Sequence, residues 1–127
     1  MIKPPQPTNA ELEILRVLWA KGPVTVRDVH GELNKMKPMG YTTVLKLMQI
    51  MSDKGLVRRD EDQRAHVYEA VVPRDATERQ LVRDLAERAF GGSAARLAIR
   101  ALAAKRATPE EMAQIRELLD RYERGSK

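Results

Sequence analysis

Thr42, Thr43, Lys46 and Gln49 are spaced so that a helix would bring all four to one side. The set has no acid–base or nucleophilic chemistry, but it is well equipped to hydrogen-bond. Hydroxyls and free N–H groups in a first helical turn reach a phosphate or a thymine methyl, an ammonium reaches a guanine edge or a phosphate, and a carboxamide pairs bidentately with adenine. Tyr41, one residue earlier, can donate to a phosphate or simply pack. Arg58, Arg59 and Arg64 flank the acidic run Asp60-Glu61-Asp62 and suit contacts to phosphate oxygens, as do Lys35 and Lys37 ahead of the helix. Any one of these residues fits an ordinary solvated face. Together, on a helix preceded by a turn and followed by a hairpin, they favour recognition of duplex DNA.

Catalysis has far less to work with. His30 and His66 stand without a partner at metal-ligand spacing, and Ser52, Ser93 and Ser126 lack the context of an activated nucleophile. Asp60-Glu61-Asp62 reads as a solvated hairpin tip, since three consecutive carboxylates on a turn rarely converge on one ion. There is no glycine-rich phosphate loop and no cysteine, hence no disulfide or thiolate site. The chain is expected to be no enzyme and to need neither metal nor cofactor. With five aromatic residues, none interleaved with basic ones, single-strand stacking is disfavoured and Trp19 is assigned to the core.

The elements that would hold the recognition set follow from periodicity. At about 100° per residue, Val44, Leu47, Met48 and Met51 share one face of a helix over 41–54, and Thr42, Lys46, Gln49 and Asp53 share the other, with Thr43 at its edge. Gly55 is its left-handed stop. Residues 56–59 and 65–71 are rich in strand formers and make a hairpin. Upstream, residues 1–7 hold three of the seven prolines and read as an extended arm. Thr8 and Glu11 have capping-box spacing and open a first helix carrying Leu12, Leu15, Val17, Leu18 and Trp19, which Gly22-Pro23 ends. Thr25 and Asp28 repeat the box for a second helix, whose Val26, Val29, Leu33 and Met36 are expected inside. Residues 8–73 therefore predict a winged helix-turn-helix, mainly α with a small β-hairpin wing.

Beyond Pro73-Arg74 the pattern is helical only. Asp75 and Glu78 are read as the cap of a fourth helix that buries Leu81, Val82, Leu85 and Ala89, with Phe90 near its end and Gly91-Gly92 closing it. Ser93 opens a fifth with Leu97, Ile99, Ala101 and Leu102. Thr108, Pro109 and Glu111 open a sixth with Met112, Ile115, Leu118, Leu119 and Tyr122. Three helices in residues 74–127 cannot easily bury these side chains alone. They pack either on the first domain or on a second copy. Pairing is the favoured reading, because a two-fold dimer reads a palindrome with an effectively intramolecular second contact. Leu81, Leu85, Phe90, Leu97, Leu102, Met112, Ile115, Leu118, Leu119 and Tyr122 are its expected contacts.

The net charge of +5 and pI near 9.7 suit a polyanionic partner, but the charge is not segregated. Residues 1–73 hold 11 basic against 9 acidic side chains, and residues 74–127 hold 12 against 9. No apolar run approaches the roughly 18 residues of a membrane span, so a soluble cytoplasmic protein without membrane insertion is expected.

The stretches AELEILRVLWAKGPVTVRDV, YTTVL, KGLVRR, RAHVYEA, FGGS and TPEEM, with QIRELL after it, resemble the BlaI/MecI penicillinase-repressor family in order and spacing, from about Thr8 to Asp120. The resemblance implies a winged helix, a helical dimerisation domain and a homodimer repressing a promoter from a palindromic operator. Its recognition helix corresponds to residues 41–54, with Thr43 at the recurring threonine, and its wing to 56–71. In the best-known members a membrane sensor metalloprotease leads to cleavage at an Asn-Phe pair; the matching place here is Arg100-Ala101. The copper-responsive branch uses a C-terminal cysteine cluster that this chain lacks. Two rival functions stay open: a winged helix that docks a partner protein, and a ligand-responsive regulator of the MarR type.

Overall fold

The computed structural model describes residues 6–62 and 66–125. Arg64, one of the three arginines expected to meet phosphate, lies outside the described residues, as do Ala65, Ser126 and residues 1–5 of the expected arm.

The first helix, α1 (Asn9–Lys21), begins on the expected capping box. Glu11 N–H donates to Thr8 Oγ1 at 3.2 Å, and Thr8 N–H donates to Glu11 Oε1 at 2.9 Å. Its inward stripe is Ile14, Leu15 and Leu18. After Gly22 comes an element that the sequence reading lacked: Val24–Thr25 form a short strand, β1, antiparallel to a later strand, in the register Val24↔Tyr68 and Thr25↔Val67. Two residues are too few to show a period of two. Thr25 is also the N-cap of α2 (Val26–Asn34), so the capping signal hid the strand signal. Val26, Val29 and Leu33 are buried as expected. Met36 is not: α2 ends at Asn34, and Met36 sits in the following turn, 84% exposed.

Helix α3 (Tyr41–Lys54) buries Val44, Met48 and Met51 completely, with Leu47 packed at the margin of the core. Gly55 closes it in the left-handed region, φ 83°, and Leu56 N–H reaches back to the Met51 carbonyl at 2.9 Å. Strands β2 (Val57–Asp60) and β3 (Val67–Ala70) then pair in the register Val57↔Ala70, Arg58↔Glu69, Arg59↔Tyr68 and Asp60↔Val67. The expected hairpin is thus part of a three-stranded antiparallel sheet of order β1-β3-β2. Leu56, Val57 and Tyr68 join the three helices in one core, and Trp19 at its edge donates from Nε1 to the Val72 carbonyl at 3.0 Å.

The chain divides into two compact units, Met1–Leu81 and Val82–Lys127. The expected boundary lay at 73/74, where helix α4 (Arg74–Ala89) starts. The Pro73 carbonyl accepts from Thr77 N–H at 3.0 Å and from Thr77 Oγ1 at 2.8 Å, and Thr77 is itself buried, so the first turns of α4 belong with the winged helix. Glu78, read as a cap residue, instead pairs with Arg74 at 3.2 Å.

In the second unit, α5 (Ala94–Ala104) is capped by Ser93, whose Oγ accepts from Arg96 N–H at 3.1 Å. Helix α6 (Pro109–Gly125) opens on a reciprocal Thr108–Glu111 box with bonds of 2.9 and 3.1 Å. Neither helix buries a residue, and in α4 beyond Leu81 only Ala86 is buried. Val82, Leu85 and Ala89, expected inside, are exposed in the single chain, as are Ile99, Leu102, Leu118, Leu119 and Tyr122. Leu81, Phe90, Leu97, Met112 and Ile115 are half-buried.

Candidate nucleic-acid interface

Helix α3 is fixed at both ends as well as along its buried face. At its start, Asn34 Oδ1 accepts from Met39 N–H at 2.9 Å, and His30 Nε2 donates to the Met39 carbonyl at 2.8 Å. The His30 ring meets Tyr41 edge-on, with centroids 5.7 Å apart and planes at 84°. His30 is therefore a half-buried brace for the turn. At the far end, Lys54 Nζ donates to both oxygens of Glu11, at 2.8 and 3.0 Å. Glu11 is 2% exposed. Burial pushes its carboxyl up, but the Lys54 hydrogen bond, the Thr8 N–H and the Lys54 charge together outweigh this and hold it below its ordinary value. Sequence reasoning found the Thr8–Glu11 half of this arrangement and missed Lys54, which lies 43 positions away with no periodic link.

The outward face of α3 carries Thr42, Thr43, Lys46, Gln49 and Asp53, all exposed, with Tyr41 46% exposed. None of Thr42, Thr43, Lys46 and Gln49 has a side-chain hydrogen-bond partner among the described residues. The N-cap is Gly40, which offers no side-chain oxygen to the first-turn N–H groups. Those groups and the positive end of the helix dipole are thus available to an anion.

The wing differs from expectation in detail. Arg58 and Arg59 are neighbours on a strand, so they leave it on opposite faces. Arg58 pairs across the sheet with Glu69, Nε to Oε1 being 2.9 Å, and its side chain is 71% exposed. Arg59, at 33%, donates from Nη2 to Glu61 Oε1 at 2.6 Å, while its Nη1 lies 3.2 Å from His66 Nδ1. His66 thus has a hydrogen-bond partner in Arg59, which the sequence alone did not show. The hydrogen bond and charge of Arg59 hold the Glu61 carboxyl below its ordinary value, and those of Glu69 raise the guanidinium of Arg58. Gln49, Ser52, Asp53, Val57, Arg58, Arg59, Glu61 and Tyr68 line one cleft, which joins the wing to the outward face of α3. Lys35 is paired with Glu32 at 2.9 Å, and Lys37 is exposed. Arg100 and Ala101 lie within α5, both exposed. No group of three or more His, Cys, Asp or Glu among the described residues is placed to hold a metal ion.

A model of the penicillinase repressor family matches residues 7–121. The chain belongs to that family. Among curated relatives, the transcriptional regulator BlaI of Mycobacterium tuberculosis is 38% identical over 68 residues, which are 53% of this chain and 49% of that protein. The chain thus spans about half the length of that relative. The penicillinase repressor of Staphylococcus aureus is 18% identical over 111 residues, 87% of this chain and 88% of that one. Among solved structures, the monomeric form of Bacillus licheniformis BlaI in complex with the blaP half-operator superposes with a TM-score of 0.51 at 27% identity, covering 59% of this chain and 92% of that one. The family fold, a winged helix followed by further helices, is the one described above.

Proposed function

We propose that the chain is a homodimeric, sequence-specific DNA-binding repressor that lays α3 in the major groove of an operator half-site and rests its wing on the adjoining backbone. The observation that carries this reading is the outward face of α3, where Thr42, Thr43, Lys46 and Gln49 stand exposed and unpartnered beside the wing. Donors and acceptors of this kind suit base edges and phosphates. The complex of Bacillus licheniformis BlaI with the blaP half-operator supports operator binding by the shared domain.

Dimerisation is supported by what α5 and α6 leave uncovered. Leu102, Leu118 and Leu119 are between 43% and 54% exposed, and Tyr122 is 74% exposed. Removing such a surface from water against a second copy is favourable, and a two-fold dimer matches a palindrome. Release by proteolysis fits the same geometry. A cut between Arg100 and Ala101, at a sensor metalloprotease's prompting, would detach α6 and with it the Leu118, Leu119 and Tyr122 face.

Selection of tight binders from a random duplex pool tests the proposal. Enrichment of a palindrome with half-sites about one helical turn apart (roughly 34–36 Å), bound two chains per duplex, is the expected result. A pool without enrichment, against a pull-down of a protein partner through α3, would overturn it in favour of an interaction module.

A further inference from the structure

Arg59 is engaged before any nucleic acid arrives. It sits in the cleft that also holds Gln49, its Nη2 is 2.6 Å from Glu61 Oε1, and His66 Nδ1 is 3.2 Å from its Nη1. A phosphate reaching Arg59 must therefore displace a carboxylate that already supplies the same chemistry: a charged oxygen acceptor at hydrogen-bond distance. The exchange swaps one ion pair for another and strands Glu61, 72% exposed, close to the DNA backbone. An unpaired arginine that neutralises a phosphate releases about one counterion and adds about 0.9 to the slope of log K against log salt. An arginine that abandons a neighbouring carboxylate releases almost none in net terms, because the freed carboxylate, left beside the phosphates, restores the negative charge that the arginine neutralises.

Building on the DNA-binding reading above, we propose that Glu61 is an internal substitute for phosphate that restrains the grip of Arg59, and so sets how strongly the wing holds DNA and how steeply that hold depends on salt. Glu61 and His66 also keep Arg59 in the cleft beside Gln49. A purely orienting role would have the opposite consequence, since losing it would weaken binding.

Glu61→Gln separates the two. The amide oxygen can still accept from Arg59, while the charge is gone. Glu61 lies on an exposed turn, so the full-length variant is expected to fold, which circular dichroism checks. Affinity for the selected palindrome and for a scrambled duplex is measured by anisotropy across a salt series. Three controls run beside it: the wild-type chain, Glu123→Gln in α6, which makes the same change in net charge, and the charge-neutral double variant Arg59→Gln/Glu61→Gln. The expected result is tighter binding by Glu61→Gln at low salt, on the order of tenfold, with a slope steeper by about 0.9. The Glu123→Gln and double variants should keep the wild-type slope. Unchanged slope or weaker binding for Glu61→Gln, with a wild-type chain that does bind, overturns the inference and leaves the DNA-binding reading intact. A wild-type chain that binds neither duplex overturns both.

Discussion

Glu11 serves two elements with one carboxylate. It closes the capping box of α1 and, nearly fully buried, holds Lys54 at the end of α3. Removing one partner of such a pair leaves the other poorly solvated, so Glu11→Gln should cost about 2 kcal/mol of stability near neutral pH, read from urea denaturation. The pH dependence has a definite sign. Because the folded-state value lies below the ordinary 4.5, the contribution is complete above that pH and is lost as acid protonates the folded carboxyl. Between pH 6 and pH 3 the variant should therefore lose less stability than the parent; equal losses would show that Glu11 does not titrate differently in the folded state. Gln49 is a residue of the other kind, exposed and without a side-chain hydrogen-bond partner among the described residues. Gln49→Ala should leave stability within about 0.5 kcal/mol and relax base preference at one position per half-site, by about 1–3 kcal/mol of discrimination. Equal losses on operator and scrambled duplex would defeat its assigned role. The Thr8–Glu11 cap and the outward position of Gln49 were legible because both depend on spacing within one helix. The Lys54 contact depends on how two helices cross, which no local pattern encodes.

At the scale of elements, the junction between α3 and β2 is the sensitive point, because it sets the angle between recognition helix and wing. Gly55 turns the chain there at φ 83°, and a Cβ added to it would meet nothing within 4 Å. The penalty of Gly55→Ala is then purely conformational, about 1 kcal/mol, and should appear as a lowered denaturation midpoint with an unchanged m-value. The glycine stop could be read from sequence, and so could the alternation that sends Arg58 and Arg59 to opposite sides. What alternation cannot reveal is the partner each finds: Glu69 lies across the sheet, and Glu61 lies around the turn. The strand Val24–Thr25 was illegible for a different reason, as it exists only because β3 is there to pair with it. Met36 continued the apolar rhythm of α2 on paper and escaped it in space, because the helix had already ended.

For the whole molecule, the second unit poses the main question, since its apolar stripes were plain in the sequence but the surface covering them was not. A stripe reads identically whether a neighbouring domain or a second copy lies against it. Leu118 and Leu119 are exposed in the single chain, and in the dimer proposed above a second copy covers them. On the dimer proposal, Leu118→Asp should give monomers by sedimentation and weaken operator binding by about 10²-fold or more, while isolated half-sites are bound as before. A variant that remains dimeric would move the interface elsewhere. Among the described residues no helix is long and apolar enough to cross a membrane.

The chain contains a single tryptophan, and its indole is tethered to the Val72 carbonyl inside the first unit. Intrinsic fluorescence is consequently a reporter of the winged helix alone, whereas ellipticity at 222 nm is dominated by helices on both sides of Leu81. Melting curves recorded at the two wavelengths should diverge as the sample is diluted, the ellipticity falling first while emission holds. Superimposable curves at every dilution would instead mark the two units as a single cooperative body.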